Sequence, residues 1–179
     1  MTTTALIGYI SEEEYLVAEL ESLGVRYLSR QTAYRAEHVR PIDVLIAGLV
    51  CQPAARVRNA VIALLLAHPE YAGWVPGALA RLQPGEQTRL RILYTAAVVL
   101  QEEHAKTLRS FLGLAWRRLP DLFAQELGVS TSQSPDETLK RLGRLQQQET
   151  GAVANWCGTY EDVAQRLLHR WELELRWNQ

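Results

Sequence analysis

The chain has 179 residues, 47% of them hydrophobic and 22% charged, a globular balance with enough length to bury one sizeable core. Nineteen Lys and Arg against twenty Asp and Glu leave a formal net charge of −1, so no global field favours a polyanionic or polycationic partner, and any charged site must be local. Two cysteines, Cys51 and Cys157, are too few for the disulfide framework of a small secreted domain and form no CxxC pair, so both are expected to be reduced.

The opening MTTTALIGYISEEEY shows neither a basic leader nor a long apolar region ending in small residues, and a cytoplasmic location is expected. Ser11 stands three residues before Glu14, a capping box that predicts an amphipathic helix through Leu16, Leu20 and Leu23, closed by Gly24. Val25 to Ser29 reads as extended or as another helix start, and Gln31 to Arg40 as a polar connection or short helix. Pro41 suits a first helical position, and Ile42, Leu45, Ile46, Leu49 and Val50 follow at helical spacing to about Gln52.

A further helix is expected from Pro53. In ARVRNAVIALLLAHPEY, residues 55–71, apolar side chains fall on nearly every side of the cylinder, so this helix must be wrapped by others. Ala and Leu favour helix over strand here, the run Ala60 to Ala67 is far shorter than the roughly 20 residues that span a bilayer, and Pro69 stops the helix at His68, its C-cap. Pro84 begins another apolar helix, expected to continue to about Leu119. Pro120, Leu122, Phe123 and Leu127 predict a short helix closed by Gly128, and VSTSQSP after it is the best linker candidate. Ser134, Pro135, Asp136 and Glu137 form a strong helix start, for a helix running to about Thr150. The last helix is expected from Thr159, with Val163, Leu167, Trp171 and Leu175 on one stripe and Gln165, Arg166, Glu172 and Arg176 left to solvent.

The pattern is all-α: a compact multi-helix array, either HEAT-like helical hairpins or an irregular bundle, with a C-terminal helical hairpin. Residues 1–128 are expected to form the core and 135–179 a helical pair packed on it. An internal echo bears on the first alternative. Gln52-Pro53 followed by Arg56-Val57-Arg58 and an apolar run recurs as Gln83-Pro84 followed by Arg89-Leu90-Arg91 and another. The stretch LIAGLVCQPAARVRNAVIALLLA resembles a HEAT-type helical repeat, in which a first helix leads through a tight turn to a Val-Arg pair opening the second. The resemblance covers about residues 41–100 and implies stacked antiparallel helix pairs with a protein-binding surface. Gln52 and Pro53 replace the aspartate usual in that turn, and two copies fall below the three or so that a solenoid needs. LESLGVRYL also resembles a segment preceding the glycine motif of small nucleotidyltransferases. The Gly-Gly/Gly-Ser turn and paired aspartates of that family are missing, so its activity does not carry over.

No catalytic residue, cofactor site or metal site is expected. Glu102, Glu103 and His104 are adjacent and therefore point in different directions, whereas a helical di-metal site needs Glu-x-x-His on one face. Asp43, His68, His169 and the serines supply no triad order or nucleophile elbow, Cys157 has no evident base nearby, and no phosphate-binding glycine loop occurs. The function expected is therefore non-catalytic: a protein–protein interaction module, regulatory or scaffolding, within a larger complex. Three of the five tryptophans lie near the end of the sequence beside Arg166, Arg170 and Arg176, and Trp and Arg are enriched at binding hot spots. Arg166, Arg170, Arg176 and Trp177 are accordingly the candidate contact residues, toward another protein or a second copy. The alternative is an accessory nucleic-acid-binding protein using the interleaved cations and aromatics Arg26, Tyr27, Arg30, Tyr34, Arg35, His38 and Arg40.

Overall fold

The capping box closes as its residues require: Ser11 Oγ accepts the Glu14 N–H at 3.2 Å while Glu14 Oε2 accepts the Ser11 N–H at 2.9 Å. The Ser11 N–H, and the Ser11 hydroxyl donating to the same oxygen at 2.9 Å, hold the Glu14 carboxyl below its ordinary range. The box opens α1, Glu12–Ser22, which buries Leu16, Val17, Ala18 and Leu20; Gly24 then turns the chain out at φ 84°. The structure, a computed structural model, describes residues 10–28, 36–131, 134–151 and 157–177.

Helix α2, Ile42–Val50, has Pro41 at its N-cap, one position outside the first turn expected for it. The chain beyond its C-terminus is held by arginines from two other elements. Arg89 donates to the Val50 carbonyl at 3.3 Å, and Arg58 donates to the Gln52 and Pro53 carbonyls at 2.8 and 3.2 Å. Cations placed there offset the negative end of the helix. The two arginine-containing echoes in the sequence thus converge on one turn, each lending it one guanidinium.

The single helix expected from Pro53 is instead a pair, α3 (Ala55–Arg58) and α4 (Ala60–Ala67), broken at Asn59. At the break the Ile62 N–H bonds the Asn59 carbonyl, an i→i−3 step that tightens the backbone, and asparagine is a weak helix former. All eight residues of α4 are buried, as a cylinder apolar on every side demands. Its neighbours are α2, α6, α9 and a 3-10 turn at Pro69–Trp74. The helix stops where Pro69 dictates: the His68 N–H reaches Leu64 O at 2.8 Å, and its imidazole Nε2 lies 2.6 Å from Leu23 O.

After α5, Val75–Ala80, Pro84 opens α6, Pro84–Glu103, with Gln83 and Glu86 forming a second capping box. The helix expected to reach Leu119 ends earlier. It breaks at His104, resumes as α7 (Ala105–Leu112), and turns at Gly113, whose φ of 51° few other residues tolerate. Residues 116–122 then run back along α6 without helical bonds. Gln101 explains why: its Oε1 accepts the Leu119 N–H at 2.8 Å and its Nε2 donates to Arg117 O at 2.9 Å. The short helix expected at 120–127 is reduced to one turn, with the Leu127 N–H on Phe123 O at 2.9 Å before Gly128 at φ 64°.

Helix α8, Pro135–Thr150, starts with Pro135 in its first turn and ends at Gly151, φ 63°; the Ser134 side chain makes no capping bond, contrary to expectation. Helix α9, Cys157–Trp177, starts two residues before Thr159. α8 lies along α6, and α9 lies on α4 and touches α7. Leu139, Leu142, Tyr160 and Leu167 belong to the same core as Leu64, and Val129, within the linker candidate, is itself buried. Among the described residues every regular element is helical, with no strand, so the chain is all-α. The two sequence echoes occupy unequal elements: the first is split around Asn59 with 8 residues in α4, the second is an unbroken 20-residue α6.

Tyr94 marks where α6 meets the returning segment. Its hydroxyl donates to Pro120 O at 2.8 Å, and Phe123 meets the ring edge-on at 5.3 Å. Burial, with a smaller contribution from Asp121, raises the phenol far above its ordinary value, and burial does the same for Tyr27. A folded pKa above the unfolded one means this stabilisation is complete below about pH 10, the unfolded value, and is lost as pH climbs toward the folded value. Tyrosinate absorbance on alkaline titration should therefore show Tyr27 and Tyr94 ionising only together with unfolding. Smooth titration of all seven tyrosines in still-helical protein would contradict this burial.

Candidate functional site

Two amphipathic helices run past the edge of the core side by side. In α7 the sequence AKTLRSFL buries Leu108 completely and leaves Phe111 and Leu112, one turn on, half-buried. The turn at Gly113 then places Leu114 wholly in solvent. In α9 the stripe Val163, Leu167, Trp171, Leu175 begins in the core and outruns it: Val163 and Leu167 are buried, Trp171 is half-buried, and Leu175 is 54% exposed. Trp171 anchors the end. Its ring meets Phe111 at 5.3 Å, and its indole N–H donates to Gly24 O at 3.4 Å. Between the helices lies a groove of about 240 Å³ lined by Phe111, Leu112, Trp171, Glu174 and Leu175.

Charge frames this groove. Arg170 Nε donates to Glu174 Oε1 at 3.1 Å, and Arg26 reaches the same oxygen at 3.5 Å. The Arg170 guanidinium also lies 5.6 Å from the centre of the Trp177 ring, a cation–π contact that holds this 69% exposed tryptophan against its own helix. Of the residues expected to contact a partner, Arg170 and Trp177 are thus brought together. Arg166 sits further back, paired with Asp162 at 2.8 Å, and Arg176 is exposed with no ion partner among the described residues. Phe111, Leu112, Leu114 and Leu175 were absent from the sequence-level contact set. The signal for Leu175 was present, since it continues the core stripe of α9 beyond the point where the core ends.

The Arg/Tyr-rich segment is described only in part. Arg30, Tyr34 and Arg35 lie outside the described residues. Arg26 pairs with Glu174, Tyr27 packs against the core, and His38 is exposed. Arg40 is taken up by the fold: its main-chain N–H donates to Glu19 Oε1 at 2.7 Å, its Nε lies 2.8 Å from Glu19 Oε2, and its Nη1 lies 2.7 Å from Glu12. Tyr15 stacks on the same guanidinium at 4.9 Å. Burial pulls the Arg40 pKa down, but the two carboxylates outweigh it and raise the net value.

A larger cavity of about 550 Å³ lies between α6 and the returning segment, with Gln101, Glu102, Arg118, Asp121 and Thr131 as its polar lining. Its polar groups are engaged with one another: Arg118 pairs with Glu102 at 3.4 Å, Thr131 donates to Asp121 at 2.9 Å, and Gln101 is spent on the backbone. Among the described residues no three His, Cys, Asp or Glu side chains gather in metal-ligating geometry. At the end of α6 Glu103 is exposed and His104 is half-buried. The Cys51 thiol is pushed up by partial burial and by Glu86, 3.4 Å away, and a thiol kept protonated is a poor nucleophile. No described helix is long and apolar enough to cross a membrane. Comparison with family models, with curated proteins and with solved structures finds no significant match to this chain.

Proposed function

We propose that the chain works by binding protein, as a regulatory or scaffolding component of a larger assembly, through the outer end of α7 and α9. The observation that carries this reading is the run of apolar side chains left uncovered there, Leu114, Leu175 and Trp177, beside a groove already lined by Phe111, Leu112 and Trp171. An apolar cluster rimmed by arginines and a partly buried tryptophan has the make-up of an interface centre. The HEAT-type resemblance also implies protein binding, but α4, in its first copy, is wholly buried, so this reading looks to α7 and α9 for the contact surface. A cytoplasmic setting belongs to the same reading and is supported by the exposed free thiol of Cys51.

Affinity capture from native lysate tests it, comparing the wild type with a Leu175→Ser/Trp177→Ser variant after nuclease treatment and in high salt. Both substituted side chains are exposed, so the melting temperature should stay close to wild type while a protein retained by the wild type is lost. If all retained material were nucleic acid, removed by nuclease or salt, binding through the Arg26 to Arg40 segment would replace this reading.

A further inference from the structure

The exposed face of α9 beside the groove carries Leu175 flanked by Glu172 and Arg176. Residues 172, 175 and 176 stand three and four apart and share one face. Other acid–arginine pairs of α9 close within the helix, Arg166 on Asp162 at 2.8 Å and Arg170 on Glu174 at 3.1 Å. Glu172 and Arg176 have the same spacing, yet among the described residues neither makes an ion pair. This open pair is arranged symmetrically about the height of Glu174, two residues to either side. A second, antiparallel α9 related by a two-fold axis at that height would set Glu172 level with Arg176 of the second copy, and Arg176 level with its Glu172. The two Leu175 side chains would lie one residue to either side of that height, about 3 Å apart along the helix direction at a rise of 1.5 Å per residue. Each would face the groove beside its counterpart.

We propose that this face is an interface between two copies of the chain, with Leu175 of each copy entering the groove of the other and two Glu172–Arg176 pairs closing around it. The surface is self-complementary in charge about that height, which is what a two-fold contact requires. The proposal rests on the preceding reading that the α7–α9 end is a binding surface, and it names the occupant.

Sedimentation or light scattering of the whole chain over a range of concentrations gives the test. The wild type should dimerise, and Leu175→Asp should be monomeric with its helical content and melting temperature retained. Glu172→Arg alone and Arg176→Glu alone should each weaken dimerisation on the order of tenfold, because each sets like charges opposite one another twice. The double reversal, Glu172→Arg with Arg176→Glu, should restore it. A monomer at every concentration, or a double reversal no better than either single, overturns the proposal. If the chain is monomeric while the Leu175→Ser/Trp177→Ser variant still loses a captured protein, only the dimer falls. If that capture is also unaffected, the binding surface falls with it.

Discussion

Leu64→Asp abolishes the folded state. Leu64 is completely buried at the centre of α4, a helix with no exposed side chain at all. Losing its burial removes about 1.5–3 kcal/mol. The aspartate would also have to be buried there, charged or protonated, among Leu, Val and Ile side chains that offer it no hydrogen-bond partner, at a further cost of several kcal/mol. The sum approaches the roughly 5–15 kcal/mol that holds a whole domain together. Far-ultraviolet circular dichroism and urea denaturation would check this. A soluble variant that still unfolds cooperatively with wild-type helicity would mean that α4 is not enclosed.

Glu19→Ala comes next in severity. Glu19 is fully buried, and its carboxylate accepts both the Arg40 main-chain N–H and the Arg40 guanidinium. Truncation leaves that N–H without its acceptor and leaves a largely buried cation with only the exposed Glu12 to balance it. Removing one partner of a buried pair costs about 3–5 kcal/mol, far more than a surface pair. The sign of the double variant is informative: Glu19→Leu/Arg40→Met should lose less stability than Glu19→Ala, because the penalty lies in the stranded charge and not in the absence of the pair. A loss below about 1 kcal/mol for Glu19→Ala would show that water reaches Arg40 freely.

The same residue shows where reading the chain in order runs out. Glu19 lies between Ala18 and Leu20, and nothing local distinguishes it from the exposed glutamates at positions 12 and 14; its partner is 21 residues further along the chain. Asn59 interrupts a helix whose apolar pattern runs on beyond it, and His104 interrupts one within a stretch of good helix formers. The returning segment at 116–122 is held along α6 by Gln101, a partner that no feature of WRRLPDL announces. The pairings of two arginines from the expected nucleic-acid patch were equally hidden from the chain order. Arg26 and Arg40 are close in sequence but are drawn to different carboxylates, Glu174 in one case and Glu12 with Glu19 in the other.

Local chemistry was sufficient elsewhere. The Ser11–Glu14 box, the prolines at the starts of α6 and α8, the stop at Pro69 and the stripe of α9 act over three or four residues, so the chain order alone determines them. The demand that Ala60–Ala67 be wrapped is equally intrinsic, since a cylinder without a polar side has no stable contact with water. Which helices do the wrapping, where they break, and how far α7 and α9 project beyond them depend on contacts between residues tens of positions apart. Those contacts exist only once the tertiary structure brings the partners together, and they decide that Leu175 emerges into solvent while Leu167, two turns earlier on the same stripe, does not.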